Sequence, residues 1–304
     1  MLDIRHLRSL VAIAESGKLA SAAERVHLSQ SALSHQIKAL EAHYDVVLFE
    51  RSKQGMRFTS AGDRLLTLAR TVLDQVHTAE RDLVRLKGDT RGELRIVLEC
   101  HTCFDWLMPA MDEFRIAWPE VEMDLVSGFQ PDPTGLLLED KADLVIVSKA
   151  PPRKDVVYHP LFRYEVLALL AHQHPLTKKR FLTAQDFAKE TLITYPIPDD
   201  RIDVVREVLG PLGVNPVRRT AMLTVAILQL VASQRGIAAM PGWAVQPYLE
   251  RRYVAQRPVR KSGLFSNLNA ATTRALAGTA YMKEFIATMK RVSFDSLKGI
   301  AAVD

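Results

Sequence analysis

The sequence predicts an α/β protein in which an N-terminal winged helix-turn-helix is followed by a long helix and a larger C-terminal α/β domain. Three observations lead to this fold class. Two short helical patterns separated by a tight turn lie in residues 18–49, as a helix-turn-helix requires. Apolar residues then recur at heptad spacing from Leu65 to Leu86. From Glu93 onward, short strand and helix patterns alternate.

Length, composition and net charge limit the classes of protein to which this chain can belong. The chain has 304 residues, of which 48% are hydrophobic and 25% charged, which is enough for two or three domains with their own cores. The net charge of +5 permits binding to nucleic acid without requiring it. Two cysteines cannot make a disulfide framework, and neither a signal peptide nor a membrane-spanning stretch is visible. We therefore expect a cytoplasmic protein with no membrane partner.

The N-terminal region contains three predicted helices. The first has an apolar stripe within residues 4–14 and is expected to end at Gly17. The second has its stripe within residues 19–26, and residues 27–29 can form only a turn before the third helix. Ser29 suits the N-cap of that third helix, because its hydroxyl can accept a bond from an otherwise unpaired backbone N–H.

The third helix has two different faces. The face predicted to be buried consists of Leu33, Ile37, Leu40 and Tyr44. The other face carries polar side chains, namely Gln30, Ser31, Ser34, His35 and Lys38. Short hydrogen-bonding side chains of this kind can reach base edges in the major groove of DNA. An ordinary surface helix with a polar face is the alternative.

A basic hairpin is predicted over residues 48–59, with Gly55 in its turn. Such a hairpin directly after a recognition helix is a wing, suited to contacts with phosphates or the minor groove, and it favours the DNA-binding interpretation. The residues expected to contact DNA are Ser29, Gln30, Ser31, Ser34, His35, Lys38, Arg51, Lys53 and Arg57.

A long helix is predicted after the wing, with Ser60 as its cap and a break at residues 87–92. Its heptad seam consists of Leu65, Ala69, Val72, Val76, Ala79, Leu83 and Leu86. The seam either packs on its own domain or pairs with the same helix of a second chain. We favour dimerisation, because a two-fold dimer reads two half-sites on double-stranded DNA.

The remaining part of the chain alternates between strands and helices. Strands are predicted at 94–98, 121–126, 142–147, 156–170 (as two strands that meet at a bend), 191–195, 237–240 and 264–273. Helices are predicted at 104–118, 184–189, 202–209, 225–233 and 278–292, with a further short helix between the strands at 121–126 and 142–147. This alternation indicates mostly parallel sheets, and roughly 210 residues are more than one small sheet needs, so two subdomains are expected.

Ligands of open parallel sheets bind beyond the carboxyl ends of the strands, so polar residues there are candidates for a binding site. These are Glu99, Cys100, His101, Thr102, Ser127, Ser148, Tyr195 and Thr224. Thr102 could cap the helix that follows, whose N–H groups would bind a carboxylate, and Glu99 would pair with an ammonium group. The set suits a small zwitterion. For each residue, the alternative is a strand-end polar group that is satisfied within the fold.

The Cys-His-Thr-Cys run at residues 100–103 allows three interpretations: buried structural thiols, a wall of the ligand pocket, or a metal or redox site. A structural zinc ion needs a fourth ligand, and the chain has no second cysteine pair. The sequence also contains no Ser-His-Asp set and no phosphate-binding loop, so we do not expect an enzyme.

Within residues 1–65, the segments ALSHQIKALE, LFER and FTSAG resemble the LysR-type transcriptional regulators. The resemblance implies a C-terminal two-lobed, type 2 periplasmic-binding-protein-like effector domain, with the chain crossing between lobes near Leu161 and Gly263. The implied domains are 1–60 (winged helix-turn-helix), 61–88 (linker and dimerisation helix) and 89–304 (effector-binding), with lobe I at 89–161 and 264–304 and lobe II at 162–263. Family members often have Arg at the position of His35 and Gly at that of Asp45.

Further along, ECHTC, PEVEMD, RYEV and ETLITYP resemble the homocysteine-responsive activators of methionine biosynthesis within that family. The resemblance implies L-homocysteine as a small-molecule co-effector, with no other cofactor. It also implies binding to pseudo-palindromic promoter sites, self-association into a dimer or tetramer, and contact with RNA polymerase. The alternatives are a LysR-type regulator of another small amino acid or organic acid and, more remotely, a thiol redox protein that uses Cys100 and Cys103.

Overall fold

A computed structural model describes residues 2–52, 55–85, 92–98, 101–127, 132–148 and 152–303, with only the backbone described at 51, 52, 55, 81, 82, 84, 85, 101 and 127. The chain divides into two compact units, Met1–Lys87 and Gly88–Asp304. Within the described ranges, no helix is long and apolar enough to cross a membrane.

The first unit is a winged helix-turn-helix, as predicted. Its elements are α1 (Ile4–Ser16), α2 (Leu19–Arg25), α3 (Gln30–Tyr44), β1 (Phe49–Ser52), β2 (Gly55–Phe58) and α4 (Ser60–Arg85). Local chemistry sets the helix ends. Gly17 ends α1 in the left-handed conformation (φ 66°), and Asp45 ends α3 in the same way (φ 52°), a conformation that Asp adopts at a modest cost. Ser29 caps α3 by accepting a hydrogen bond from the Ala32 N–H at 3.1 Å.

Three details of the first unit differ from the prediction. The cap of α4 is Thr59, whose Oγ1 accepts a bond from the Gly62 N–H at 3.1 Å, while Ser60 is already helical. Gly55 pairs with Ser52 as the first residue of β2, so the glycine belongs to a strand and not to the turn. Tyr44 is 45% exposed, because α3 ends at this residue and its ring lies beyond the buried face.

The apolar core of the first unit includes only the beginning of the predicted heptad seam. Leu65, Ala69 and Val72 pack with the buried faces of α1 and α3. Val76 is half-buried and does not belong to that core, while Ala79 and Leu83 are exposed. Leu86 lies outside the described residues. The seam therefore packs on its own domain over its first part and leaves an apolar stripe uncovered over its second part.

The second unit is α/β. Its strands are β3 (Gly92–Leu98), β4 (Val121–Ser127), β5 (Leu144–Val147), β6 (Val156–Leu170), β7 (Thr191–Thr194), β8 (Val217–Thr220), β9 (Ile237–Pro241), β10 (Ala255–Pro258), β11 (Phe265–Thr273) and β12 (Ile300–Ala301). Its helices are α5 (Phe104–Ala117), α6 (Gly135–Leu138), α7 (Ala184–Phe187), α8 (Thr224–Ala232), α9 (Gly242–Glu250), α10 (Arg274–Ala277) and α11 (Ala280–Ser296). The strand order is β4-β3-β5-β11-β6-β9-β7-β8, with β10 and β12 also paired to β6.

Two parallel groups, β4-β3-β5 and β9-β7-β8, lie on either side of the antiparallel pair β11 and β6. The prediction of two strands over 156–170 is wrong, because β6 is a single strand. It pairs with β11 up to Glu165 and with β9 from Val166 onward. Its register against β11 shifts beside Pro160, a residue with no N–H to donate to the ladder. One strand thus belongs to both halves of the domain.

Other elements were not predicted or differ in type. The strands β8, β10 and β12 and the helices α9 and α10 have no counterpart in the sequence-based prediction. The predicted helix at 202–209 is instead part of an irregular helical segment, residues 199–212, in which one wide turn (Val205–Leu209) lies between two 3₁₀ turns. Gly210 and Pro211 follow that wide turn directly, and proline cannot continue a regular helix from its N-terminal side.

A buried ion pair holds β3 against the start of β5. Asp143 is fully buried and accepts bonds from the Arg95 backbone N–H at 2.9 Å and from Arg95 Nε at 2.8 Å. Thr272 of β11 donates to the Asp143 carbonyl oxygen at 2.7 Å. Because a buried charge is costly unless it is paired, these bonds fix the relative positions of three strands that lead to the site described below.

Candidate functional site

The polar face of α3 is exposed on the first unit. Gln30, Ser31, His35 and Lys38 are exposed, and Ser34 is half-buried. The opposite face is buried through Leu33, Ile37 and Leu40. Four of the side chains predicted to read DNA are thus accessible to a groove, while the apolar face anchors the helix.

Two further contacts define this surface. Ser9 of α1 is buried and donates to Gln36 Oε1 at 3.0 Å, which fixes the rotation of α3 against α1. The Ser29 hydroxyl is occupied by its capping bond and lies 3.0 Å from the Ser31 hydroxyl. Ser29 therefore shapes the start of α3 in addition to its predicted role at DNA.

The wing pairs as an antiparallel hairpin. Phe49 and Phe58 are paired across it, with ring centroids 4.5 Å apart, and Arg57 is exposed. The Arg51 side chain and Lys53 lie outside the described residues. An exposed polar helix beside a hairpin that carries a cation is an arrangement that can read base edges and bind phosphates together.

The second unit contains a cavity of about 110 Å³, which we call the strand-end cavity. It lies where β5 and β7 end, and the residues that follow these strands, Ser148 and Tyr195, line it. The volume exceeds the roughly 15 Å³ that one water molecule needs, and it is below the roughly 300 Å³ typical of pockets for drug-sized ligands. It therefore suits a small metabolite.

The predicted effector residues have different outcomes. Ser148 and Tyr195 line the cavity, and Thr224 supports Tyr195 through a 2.5 Å hydrogen bond between their hydroxyls. Glu99 and Cys100, and the side chains of His101 and Ser127, lie outside the described residues. Thr102 does not cap α5, because a 3₁₀ turn (His101–Cys103) precedes the helix and places Cys103 at the cap position.

Two charged residues of the cavity were missed by the sequence analysis. Arg201 and Asp203, both in the 199–212 segment, line the cavity and are its only charged residues among those described. Burial lowers the pKa of the Arg201 guanidinium below its ordinary value. The sequence does show a cluster of charged residues at 199–203, shortly after β7. A charge cluster of this kind is typical of a solvated loop, so it did not indicate a binding site.

The rest of the wall is largely apolar. Cys103 is buried, and Met240 and Trp243 line the same cavity. The Trp243 Nε1 is buried and has no hydrogen-bond acceptor in the part of the chain that the structure describes. Buried donors normally find an acceptor, so this indole N–H is an exception among the buried polar groups near the cavity. Sulfur and aromatic groups also contact each other favourably.

The metal interpretation of the Cys-His-Thr-Cys run involves Cys100 and the side chain of His101, which lie outside the described residues. The described ranges contain no group of three or more His, Cys, Asp or Glu side chains that could hold a metal ion. The Cys103 thiol is part of the cavity wall, as in one of the three interpretations of its motif. Cys100, the other cysteine of the motif, is outside the described residues.

A winged helix-turn-helix followed by an α/β domain with a ligand-sized cavity defines the class of two-domain transcriptional regulators. Residues 4–63 match the family model "Bacterial regulatory helix-turn-helix protein, lysR family". Residues 87–293 match the model "LysR substrate binding domain". The chain belongs to the LysR family of DNA-binding transcriptional regulators.

Several relatives resemble the chain over its whole length. The HTH-type transcriptional regulator MetR of Haemophilus influenzae is 52% identical over 303 residues, covering 100% of this chain and 98% of the relative. MetR of Salmonella typhimurium is 40% identical, covering 100% of this chain and 95% of the relative. These relatives are named as regulators of transcription and not as enzymes.

Solved structures agree with the fold. The regulatory domain of MetR from N. meningitidis, a LysR family regulator, is 51% identical with a TM-score of 0.66, covering 70% of this chain and 98% of that one. Full-length CbnR in complex with its target DNA is 20% identical with a TM-score of 0.68, covering 96% of this chain and 100% of that one. At this identity, the second similarity concerns the fold.

The exposed face of α3 leads to a prediction about specificity. Gln30→Ala should weaken binding to a promoter duplex that the wild type selects by about 1 to 3 kcal/mol, with little effect on a random duplex, because base contacts carry the sequence information. Lys38→Ala, on the same helix, should weaken binding to both duplexes. It should also reduce the slope of the logarithm of the binding constant against the logarithm of the salt concentration by about the amount expected for one phosphate contact. Fluorescence anisotropy at several salt concentrations measures both effects. Equal losses for Gln30→Ala on the two duplexes would contradict the assignment.

Proposed function

We propose that the chain activates methionine-biosynthesis genes and that L-homocysteine, bound in the strand-end cavity, controls it. The observation that carries the proposal is the composition of the cavity. Its lining combines a guanidinium with a thiol, a thioether and an indole, the last three from Cys103, Met240 and Trp243. The full-length similarity to regulators named MetR supports the same assignment.

Homocysteine fits this composition by its chemistry. Its carboxylate matches Arg201 and can also accept from the hydroxyl groups of Tyr195 and Ser148. Its side chain is short, apolar and ends in a thiol, which suits the sulfur and aromatic groups of the same lining. Glu99, Cys100, His101, Thr102, Ser127 and Thr224 remain proposed members of the effector site.

Control of transcription follows from where the cavity lies. Its lining comes from the ends of β5 and β7, which belong to opposite sides of the shared strand β6. A ligand that contacts both sides binds one arrangement of them better than another and so shifts their populations. The two arrangements would present different assemblies to promoter DNA and to RNA polymerase.

On DNA, two copies of the chain would bind a pseudo-palindromic site through their α3 helices and wings. The uncovered second half of the α4 seam supplies an apolar surface for a second α4 helix, and pairs of such dimers would form a tetramer. The proposed DNA contacts are those of the exposed α3 face, of Ser29 and of the wing cations.

A second candidate function uses the same cavity for another small amino acid or organic acid. Arg201 and the hydroxyl groups of Tyr195 and Ser148 would bind the carboxylate of that ligand. Only the apolar part of the lining would then discriminate between ligand side chains. A thiol redox role fits less well, because Cys103 is 1% exposed and a reactive thiol needs access to its partner.

Thermal unfolding of the full chain tests the choice of ligand. L-homocysteine at a hundred times its dissociation constant should stabilise the folded state by about 2.7 kcal/mol, and methionine, homoserine and cysteine should shift the midpoint less. Tyr195→Phe, which removes a cavity hydroxyl, should reduce the shift. Tyr253→Phe, whose hydroxyl bonds to Gln229, is the matched control and should retain it. Absence of a shift with homocysteine would remove it as the effector.

The α4 seam leads to a prediction about self-association. Val76→Asp should convert the dimer to a monomer, because a charge in an apolar helix pair must lose its water, while the core of the unit is untouched. Gln75→Asp, at the neighbouring exposed position, should leave the dimer intact. Sedimentation velocity distinguishes the two species. A Val76→Asp variant that sediments as the wild type does would disprove pairing through this seam.

A further inference from the structure

Among the residues that the structure describes, Asp203 supplies the only carboxylate in the lining of the strand-end cavity. Its side chain is only 11% exposed. The single lining cation, Arg201, is two residues away on the same segment. Two opposite charges in the lining of one cavity match a ligand that carries an ammonium and a carboxylate on the same carbon atom.

We propose that Asp203 binds the ammonium group of the effector, so that the cavity selects α-amino acids over the corresponding carboxylic acids. The proposal rests on the proposed function in that it takes the strand-end cavity as the effector site. It differs from the sequence-based expectation, which gave the ammonium group to Glu99.

The hydrogen bonds of Asp203 leave it able to accept more. Its Oδ1 accepts from Arg206 Nη2 at 2.5 Å and from the Ser266 hydroxyl at 3.2 Å. Its Oδ2 accepts no bond from any residue that the structure describes, although each carboxylate oxygen has two acceptor positions. An ammonium group is a triple donor and would supply the missing bond with a compensating charge.

The cation beside Asp203 is shared with other acceptors. Arg206 Nε pairs with Glu207 Oε1 at 3.0 Å, and its Nη1 donates to the Asp200 carbonyl oxygen at 2.8 Å. Asp203 therefore shares its counter-ion, Arg206, with two other acceptors, and a nearly buried carboxylate gains from a second cation. Arg201 cannot serve as this second cation for Asp203 while it binds the carboxylate of the ligand.

The position of Asp203 also connects recognition to the frame of the domain. Ser266 belongs to β11, which pairs with β5 and β6, while Asp203 belongs to the segment that follows β7. The ligand ammonium and the β11 hydroxyl would thus share one carboxylate. Binding of an amino acid would therefore affect the hydrogen bond between Asp203 and Ser266. Binding of the corresponding carboxylic acid would not, because it has no ammonium group for Asp203.

The test compares L-homocysteine with 4-mercaptobutyrate, which lacks only the amino group, by calorimetric titration of the full chain in reductant. The wild type should bind homocysteine about 10- to 100-fold more tightly. Asp203→Asn, and Asp203→Ser as a second neutral variant, should reduce this preference to roughly threefold or less. Asp200→Asn, an exposed neighbour outside the cavity, should keep the full preference.

The outcomes separate this proposal from the choice of homocysteine. Equal binding of the two compounds by the wild type, or a preference that persists in both Asp203 variants, overturns the role of Asp203 and leaves homocysteine as the effector. If the wild type instead binds methionine, homoserine or cysteine, the same comparison with the deamino analogue applies, and a preference that depends on Asp203 supports the proposal while homocysteine is rejected. Binding of none of these amino acids overturns both.

Discussion

The C-terminal domain depends on the hydrogen-bonding of one strand, β6, to different partners along its length. The strand pairs with β11 through Glu165 and with β9 from Val166, so a continuous backbone belongs to both parallel groups of strands. Backbone ladders of this kind connect the two groups, and residues at the carboxyl ends of β5 and β7 line a common cavity. A ligand in that cavity therefore contacts elements on both sides of the shared strand.

The chemistry of the cavity is set by a short irregular segment and not by a regular helix. The 199–212 segment places Arg201 and Asp203 on the cavity wall, and burial there makes both charges costly unless they are compensated. A ligand with complementary charges would add further pairing to these two groups. Such pairing would link the stability of the domain to occupancy of the site, and it would favour a zwitterion over a neutral molecule.

The sequence predicted what depends on local chemistry and missed what depends on distant contacts. The helix-turn-helix was predictable because caps such as Ser29 and the left-handed ends at Gly17 and Asp45 are set within a few residues. The continuity of β6 was not, because Pro160 resembles a strand break and only pairing with β11 carries the strand past it. Arg201 and Asp203 were missed because a charge run normally indicates solvent, and their burial arises from packing against residues far away in the chain.

If one small ligand and DNA both act on this chain as proposed, their binding equilibria are linked. The most direct measurement is the dissociation constant of L-homocysteine in the absence and presence of a saturating promoter duplex from a methionine-biosynthesis gene of the same genome. Linkage requires that DNA change the affinity for homocysteine by the same factor by which homocysteine changes the affinity for that DNA. We expect equal factors that differ from one. Affinities for homocysteine and DNA that do not depend on each other would contradict the account.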